Sequence, residues 1–287
     1  QITKAIIPVA GMGTRFLPAS KAQPKELLPI VDKPIIQYIV EEAVASGIEE
    51  IIFVTSMGKR ALEDHFDRNF ELEYRLQQKK KLTELKEVAA IGKLARFAFV
   101  RQDKPLGDGH ALLSAVPFIK EDEAVAVLFG DDVVDHKQPV LSQMMKVYNR
   151  YQDPVVALYE VPKKEVSSYG VIGGTEVGAR TWEINKFVEK PTPRKAPSNL
   201  IVVGKYVVTP DVLQILKTQK PGQGGEIRLA DAFIARLKQG KSMYGCQFKG
   251  ERFDCGNKLE YLKAQLHYGL KRPKFRSELR SFIKDHC

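Results

Sequence analysis

The chain has 287 residues, of which 44% are hydrophobic, and it carries a formal net charge of +10 at pH 7. This length allows a large buried core and suits one α/β domain, alone or with an appended subdomain. The sequence has no run near the ~18 apolar residues that cross a bilayer and no signal-peptide pattern, so we expect a soluble, cytoplasmic protein without a membrane partner.

The cysteines and histidines do not follow a disulfide or metal-binding pattern. Cys246, Cys255 and Cys287 are odd in number and include no Cys-x-x-Cys pair, which argues against a disulfide framework and a zinc site. The five histidines also lack the spacing of metal ligands. We interpret Cys255 as a small buried thiol and each histidine as a surface, core or substrate-binding residue.

The positive charge raises the possibility of nucleic-acid binding, but its distribution argues against it. Lys79–Lys81 falls in a predicted helical stretch, 71–87, that also holds four glutamates and is typical of a solvated helix face. In the tail 271–287, six basic residues face only Glu278 and Asp285. The tail is either an oligomer-interface arm or a solubilising helix. We expect no nucleic-acid partner.

The first predicted strand leads into a turn suited to phosphate binding. Residues 4–10 are apolar and β-branched enough for a buried parallel strand, and Gly11 and Gly13 follow at once. Glycines let the backbone bend sharply and present N–H groups to an anion. Arg15 and, within a Pro-Lys-Glu sequence, Lys25 add positive charge. The stretch therefore predicts a cradle for a nucleoside triphosphate.

Two common phosphate-binding motifs do not explain this turn. A dinucleotide fingerprint needs a third glycine to pack the next helix on its strand, but Thr14, Arg15 and Phe16 follow Gly13. A Walker A loop needs Gly-Lys-Ser or Gly-Lys-Thr, which is also missing here.

The rest of the chain alternates short strands with amphipathic helices, which predicts an α/β fold with a mostly parallel sheet covered by helices on both faces. Ligands bind such sheets beyond the carboxyl ends of the strands, where we expect Gly11, Gln102 and Asp131 to meet. The predicted elements are helix 34–46, strand 50–55, helix 59–68, a helical insertion 71–94, strands 97–101 and 125–129, a strand-rich region 155–208, and helices 210–218, 227–238 and 257–269.

The sequence resembles the sugar-1-phosphate nucleotidylyltransferases, and within them the bacterial UTP–glucose-1-phosphate uridylyltransferases. The resemblance begins in 4–34 and continues in order along nearly the whole chain. Its further motifs are 101–111 (RQDKPLGDGHA), 130–132 (GDD), 168–172 (SYGVI), 188–191 (VEKP) and 252–256 (RFDCG).

The resemblance implies a Rossmann-like mixed sheet of the nucleotide-diphospho-sugar transferase type. It implies one catalytic domain, 1–270, with a nucleotide-binding part at about 1–135 and a sugar-binding part at about 136–270, followed by the basic helical tail 271–287. A homodimer or homotetramer is expected.

The implied reaction transfers a uridylyl group from UTP to α-D-glucose 1-phosphate, giving UDP-glucose and pyrophosphate. The phosphate nucleophile is already largely ionised at neutral pH, so no general base is expected. Arg15, Lys25 and Asp131 are the expected catalytic residues. Mg²⁺ is the expected cofactor, with Asp131 as its first ligand. Asp132 is instead a candidate for the cap of the next turn, the usual role of an aspartate after a strand.

Asp254 matches a position where related thymidylyltransferases carry a second metal-binding aspartate. Cys255 replaces their usual threonine, so whether Asp254 binds metal stays open. The expected nucleotide-binding residues are Ala10, Gly11, Gly13, Thr14, Arg15, Lys25, Gln102, Gly107 and Asp131. The expected sugar-phosphate-binding residues are Gly170, Glu189, Lys190 and Gly204.

Three other functions are compatible with parts of this pattern. A glucose-1-phosphate thymidylyltransferase would share the fold and most of the site. A catalytically silent paralogue that binds nucleotide sugars would be expected to lose part of the Gly-Thr-Arg or Gly-Asp-Asp motif, and this chain keeps both. A polyanion-binding protein would carry aromatic RNA motifs or a recognition helix, which this sequence lacks.

Overall fold

The structure, a computed structural model, describes residues 1–286, apart from the side chain of Gln223, and Cys287 lies outside the described residues. The strands are β1 Lys4–Pro8, β2 Pro29–Ile30, β3 Lys33–Pro34, β4 Glu50–Thr55, β5 Arg96–Arg101, β6 Val125–Leu128, β7 Asp132–Asp135, β8 Val155–Glu160, β9 Gly170–Gly178, β10 Thr181–Glu189, β11 Leu200–Val208, β12 Tyr244–Gln247 and β13 Glu251–Asp254. The helices are α1 Ile35–Ala45, α2 Arg60–Phe66, α3 Phe70–Gln78, α4 Leu82–Ile91, α5 Asp108–Ala115, α6 Val140–Tyr151, α7 Pro210–Thr218, α8 Leu229–Lys238, α9 Lys258–Lys271 and α10 Pro273–His286.

A nine-stranded mixed sheet organises residues 1–286, in the order β5-β4-β1-β6-β11-β8-β12-β10-β9. The pairs β5–β4, β4–β1, β1–β6 and β8–β12 are parallel, whereas β11 and β10 pair antiparallel with their neighbours. Only β11 and β10 therefore run in the direction opposite to that of the other seven strands of this sheet. The predicted α/β class and mostly parallel strand direction are confirmed.

Hydrophobic side chains cover both faces of the sheet, as the apolar strand sequences predict. Within β1, Ala5 and Ile7 pack into one core cluster, which includes side chains of α1 and α6, while Ile6 packs into the other. That second cluster holds side chains of α5, α7 and α8. Both faces of β1 are thus buried, which explains its lack of polar alternation.

No helix among the described residues is both long and apolar enough to cross a membrane.

Two predicted elements differ from the structure. The insertion 71–94 contains two helices, α3 and α4, and Lys79–Lys81 lies in the break between them. Lys80 has a φ of 56°, which a helix does not allow, so the assignment of these lysines to a helix face is wrong. The predicted strand 4–10 ends at Pro8, although the Val9 N–H still donates to Val54 across the parallel pair at 2.9 Å. The tail forms α10, as predicted.

A buried charged cluster supports the carboxyl end of β6. Lys205 in β11 is fully buried; its Nζ donates to the backbone oxygen of Asp132 at 2.5 Å and lies 3.4 Å from Glu42 Oε2 in α1. Burial raises the pKa of Glu42, and the Lys205 charge opposes that rise. Removing one partner of a buried pair leaves the other charge uncompensated, which is strongly destabilising.

We therefore predict that Lys205→Ala lowers the free energy of unfolding by about 3 kcal/mol, because Glu42 loses its cation. The measurement is urea unfolding of the wild type, Lys205→Ala and the exposed control Lys217→Ala in α7. A loss for Lys205→Ala no larger than the control's, about 0.5 kcal/mol, would contradict a structural role for this cluster.

Candidate active site

One cavity of about 700 Å³ opens at the carboxyl ends of β1 and β6, and residues from both halves of the chain line it. Its wall includes predicted site residues of three kinds: phosphate-side, metal-side and sugar-side. These are Gly13, Thr14, Arg15, Lys25, Gly107, Asp131, Gly170, Glu189, Lys190, Gly204 and Asp254. Of the predicted residues, Ala10, Gly11 and Gln102 are not part of this wall.

The glycine turn after β1 has the bent backbone that its sequence predicts. Gly13 is left-handed, with φ 65° and ψ 28°, and the turn Thr14–Phe16 begins directly after it. Ser20 Oγ donates to the Gly13 carbonyl at 2.7 Å, and Ser56 Oγ donates to the Ala10 carbonyl at 2.9 Å. No atom lies within 4 Å of the position where Gly11 would carry a Cβ. The loop is anchored at its carbonyls and leaves Gly11 open.

Lys25 and Asp131 form an ion pair in the cavity wall. Pro24 precedes the turn Lys25–Leu27, and Lys25 Nζ donates to Asp131 Oδ2 at 2.5 Å. About a fifth of each side chain is exposed. Burial lowers the pKa of Lys25, but the Asp131 carboxylate outweighs burial, so that the pKa lies above its usual value. Lys25 is thus a cation that solvent and ligands can reach.

A second ion pair lies behind Lys25 and was not predicted. Glu26 is buried, and its Oε2 accepts from Lys59 Nζ, just before α2, at 2.7 Å. Burial lowers the pKa of Lys59, and Glu26 only partly offsets this. The pair fixes the turn that carries Lys25. Its sequence signal was the glutamate of Pro-Lys-Glu, an acidic residue directly before Leu27 and Leu28.

Two carboxylates converge beside Gly256. A Cβ on Gly256 would lie 2.7 Å from Asp131 Oδ2, 3.0 Å from Asp254 Oδ1 and 3.5 Å from an Arg15 guanidinium nitrogen. Burial and the neighbouring charges of Asp132 and Asp131 raise the pKa of Asp254. A divalent cation would relieve this repulsion, and two carboxylates beside an open cavity fit Mg²⁺, which completes its coordination with water and substrate oxygens. The described residues hold no cluster of three or more acidic, histidine or cysteine side chains that would enclose a metal.

Asp132 has a structural role beneath the cavity, and the prediction that it caps the next turn is wrong. It begins β7, where its carboxylate accepts from Arg252 Nε at 2.6 Å and from the Gly204 N–H at 3.1 Å. Although burial alone would raise the pKa of Asp132, the Arg252 charge lowers it below its usual value. The isolated sequence Gly-Asp-Asp could not distinguish the partly exposed Asp131 from the buried Asp132.

Arg252 is the main residue of the site that sequence reasoning missed. Its guanidinium lies 5.2 Å from the ring centre of Tyr169, and Tyr169 OH donates to Asp254 Oδ2 at 3.4 Å. Arg252 itself lies 3.7 Å from Asp254 Oδ2. One network of contacting side chains therefore lines this part of the cavity: Asp132, Arg252, Tyr169 and Asp254. The only sequence signal was the position of Arg252 two residues before Asp254.

The sugar-side residues meet where three strands run side by side. Glu189 ends β10 and Lys190 follows with a φ of 45°, its side chain largely exposed. A Cβ on Gly170 would lie 3.1 Å from Glu189 Oε2, and one on Gly204 would lie 2.8 Å from Phe129. Packing against neighbouring side chains thus disfavours a larger residue at both positions.

The loop before α5 joins the two halves of the cavity. Gly107 has a φ of 100°, and a Cβ there would lie 2.6 Å from the Ile227 carbonyl, so both the backbone conformation and the packing require this glycine. Asp108 accepts from the backbone N–H groups of Gly109 and Leu229 at 2.8 and 3.1 Å. Asp108 thereby links the first turns of α5 and α8, a contact that sequence reasoning did not find.

The comparisons with known proteins agree with this geometry. Residues 4–270 match the family model described as nucleotidyl transferase. A UTP–glucose-1-phosphate uridylyltransferase of Staphylococcus haemolyticus is 49% identical over 285 residues, which cover 99% of this chain and 98% of that protein.

Solved structures are similar over the whole fold. A UDP-glucose pyrophosphorylase complexed with UDP-glucose has a TM-score of 0.86 and 43% identity, covering 95% of this chain and all of the other. A UTP-bound enzyme from Acinetobacter baumannii has a TM-score of 0.90 and 43% identity, covering 99% of both chains. The chain therefore belongs to the nucleotidyl transferase family.

Proposed function

We propose that this chain transfers a uridylyl group from UTP to α-D-glucose 1-phosphate and releases UDP-glucose and pyrophosphate. The observation that carries the proposal is one cavity lined both by Arg15, Lys25 and Asp131 and by Glu189 and Lys190. The names of the relatives at 43–49% identity give the substrates.

The chemistry is a single displacement at phosphorus. A phosphate oxygen of glucose 1-phosphate forms a bond to the α-phosphorus of UTP, and the bond from that phosphorus to the α,β-bridging oxygen breaks. Pyrophosphate leaves with the electron pair. Since the second pKa of a phosphate monoester is about 6, the nucleophile is ionised at neutral pH and no side chain has to remove a proton. The protein must bring two anions together in line and neutralise their charge.

The cations near the glycine turn supply this neutralisation. Arg15 offers a planar fork of N–H donors for two phosphate oxygens. Lys25, a compact charge, is assigned to the α-phosphate side. The backbone of Gly13 and Thr14 faces the same cavity and is assigned to the phosphate chain. These roles need the side chains in one place, which is the arrangement beside Asp131 and Gly256.

Mg²⁺ is the proposed cofactor. Asp131 and Asp254 would hold it, and Asp254 enters this proposal because its carboxylate reaches the same point beside Gly256 as that of Asp131. When bound, the ion supplies positive charge to phosphate oxygens as a Lewis acid.

The two substrates are assigned to the two halves of the chain, nucleotide at about 1–135 and sugar at about 136–270. Gln102, with the backbone of Ala10 and Gly11 and the Gly107 loop, is assigned to the uracil and ribose. Glu189 would accept from sugar hydroxyls, Lys190 would bind the sugar phosphate, and the backbone at Gly170 and Gly204 would approach the pyranose. A homodimer or homotetramer is proposed by analogy with the family.

A test of the function measures pyrophosphate release from UTP or dTTP with glucose 1-phosphate and Mg²⁺. We expect turnover with both substrates present, a higher kcat/KM for UTP, loss of activity on chelation by EDTA, and its return on adding Mg²⁺. Preference for dTTP would identify a thymidylyltransferase instead. Binding of UDP-glucose without any pyrophosphate release would identify a catalytically silent binder.

A second prediction concerns Lys25. Lys25→Ala should lower kcat by about 10²–10³-fold, the usual effect of removing one charge-stabilising donor from a transition state, with a smaller change in KM. The matched control is Lys93→Ala. Lys93 is exposed and precedes the amino end of β5, whereas the cavity opens at the carboxyl ends of the parallel strands. Turnover of Lys25→Ala within about threefold of the control would remove Lys25 from the transition state.

A further inference from the structure

The side-chain amide of Gln102 is held at two points within its own loop. Its Nε2 donates to the Gly107 carbonyl at 3.0 Å and lies 3.1 Å from His110 Nδ1 in the first turn of α5. The backbone N–H of Gln102 donates to Thr55 at 2.8 Å, which fixes the residue at the carboxyl end of β5. These contacts therefore fix the position of the amide beside Gly107, which lines the cavity.

These contacts also define the orientation of the amide and the tautomer of the histidine. The Gly107 carbonyl can only accept a hydrogen bond, so the nitrogen of the Gln102 amide, and not its oxygen, must face it. The same nitrogen then faces His110 Nδ1, which must accept through its lone pair and leave the ring proton on Nε2. His110 Nε2 lies 3.8 Å from Asp103 Oδ1.

Both N–H groups of the Gln102 amide are thereby occupied. Only Oε1 remains for a ligand, and a carbonyl oxygen accepts but cannot donate. The ring N3 of uracil carries a hydrogen and donates, whereas the ring N3 of cytosine carries a lone pair and accepts. Where N3 of the base faces Gln102 Oε1, this site therefore favours uracil, whose N3–H donates, over cytosine, whose N3 lone pair would face the oxygen. It does not separate uracil from thymine, since both have N3–H.

We propose that His110 is a positioning residue for base selection: by accepting from Gln102 Nε2 it withholds the second amide N–H from the nucleotide and makes the site reject CTP. The inference rests on the proposed function, in which Gln102 contacts the base. His110 acts through Gln102 and is not assigned a contact with substrate.

The surroundings of His110 hold the ring in this place. About four fifths of its side chain is buried, and Ser114 Oγ, one turn later in α5, donates to its backbone carbonyl at 3.2 Å. The backbone at Gly107 has little room to shift, because the Ile227 carbonyl oxygen lies close to the Gly107 α-carbon, 2.6 Å from where a Cβ would be. The acceptor for the second amide N–H is thus built into the first turn of a packed helix.

The test compares the dissociation constants of UTP and CTP, measured by isothermal titration calorimetry with Mg²⁺ and without sugar phosphate. In His110→Phe the ring is kept but the acceptor is lost, so the freed N–H can donate to cytosine N3. We expect the preference for UTP over CTP to fall by about tenfold, the effect of one hydrogen-bonding group satisfied or unsatisfied. In His110→Asn, Oδ1 takes the place of Nδ1, and the preference should stay near the wild-type value.

Two further variants make the result decisive. Ser114→Ala removes only the hydroxyl beside the same helix turn and should leave the preference unchanged. Gln102→Leu should lose the preference even with His110 intact. An unchanged preference in His110→Phe, or an equal loss in His110→Phe and His110→Asn, would overturn the proposal.

The binding readout separates this inference from the proposed reaction. If the wild type binds UTP selectively but releases no pyrophosphate with glucose 1-phosphate, the proposed function fails while the role of His110 is still decided by the variants. If the wild type transfers uridylyl groups normally and Gln102→Leu keeps full selectivity for UTP, the proposal for His110 fails and the proposed function stands.

Discussion

The Lys25–Asp131 ion pair is the contact on which the arrangement of the site depends. It joins two segments 106 residues apart at 2.5 Å, one in the turn after the glycine loop and one at the carboxyl end of β6. Burial alone would lower the pKa of Lys25, so the lysine charge is kept in the wall of the cavity by the carboxylate opposite. The same pair keeps the acidic end of β6 close to the phosphate cradle.

The rest of the site balances charge around that pair. Asp131, Asp132 and Asp254 place three carboxylates near one another, and their repulsion is offset by cations from separate elements. Arg252 compensates Asp132 from below, at 2.6 Å. Lys205 donates to the Asp132 backbone from within the sheet. Neutral replacement at any of these cations would leave negative charge buried, which couples the stability of the fold to the chemistry of the cavity.

The sequence predicted the parts of this arrangement that local pattern encodes. The glycine turn, the proline before Lys25 and the aspartate after an apolar strand each have a local signature, and strand ends of a parallel sheet meet at one edge. The pairs Lys59–Glu26 and Arg252–Asp132 span 33 and 120 residues, and no local pattern specifies them. The prediction that Lys79–Lys81 lie on a helix face was wrong for a related reason.

In that segment, helical composition continued through the lysines, but the backbone at Lys80 turns left-handed and ends α3. Propensity summed over a window does not locate such a break. The packing reasons for glycine at 107 and 204 likewise depend on residues far along the chain, Ile227 and Phe129. Sequence reasoning therefore found which residues face the cavity better than it found what holds them there.

The most direct test of the central claim is a crystal structure of the chain with Mg²⁺ and a UTP analogue whose α,β-bridging oxygen is replaced by carbon. The account predicts that Lys25 Nζ leaves Asp131 Oδ2 and contacts the α-phosphate, with the nucleotide phosphates against the glycine turn. A nucleotide bound elsewhere, with the Lys25–Asp131 contact still intact, would contradict it.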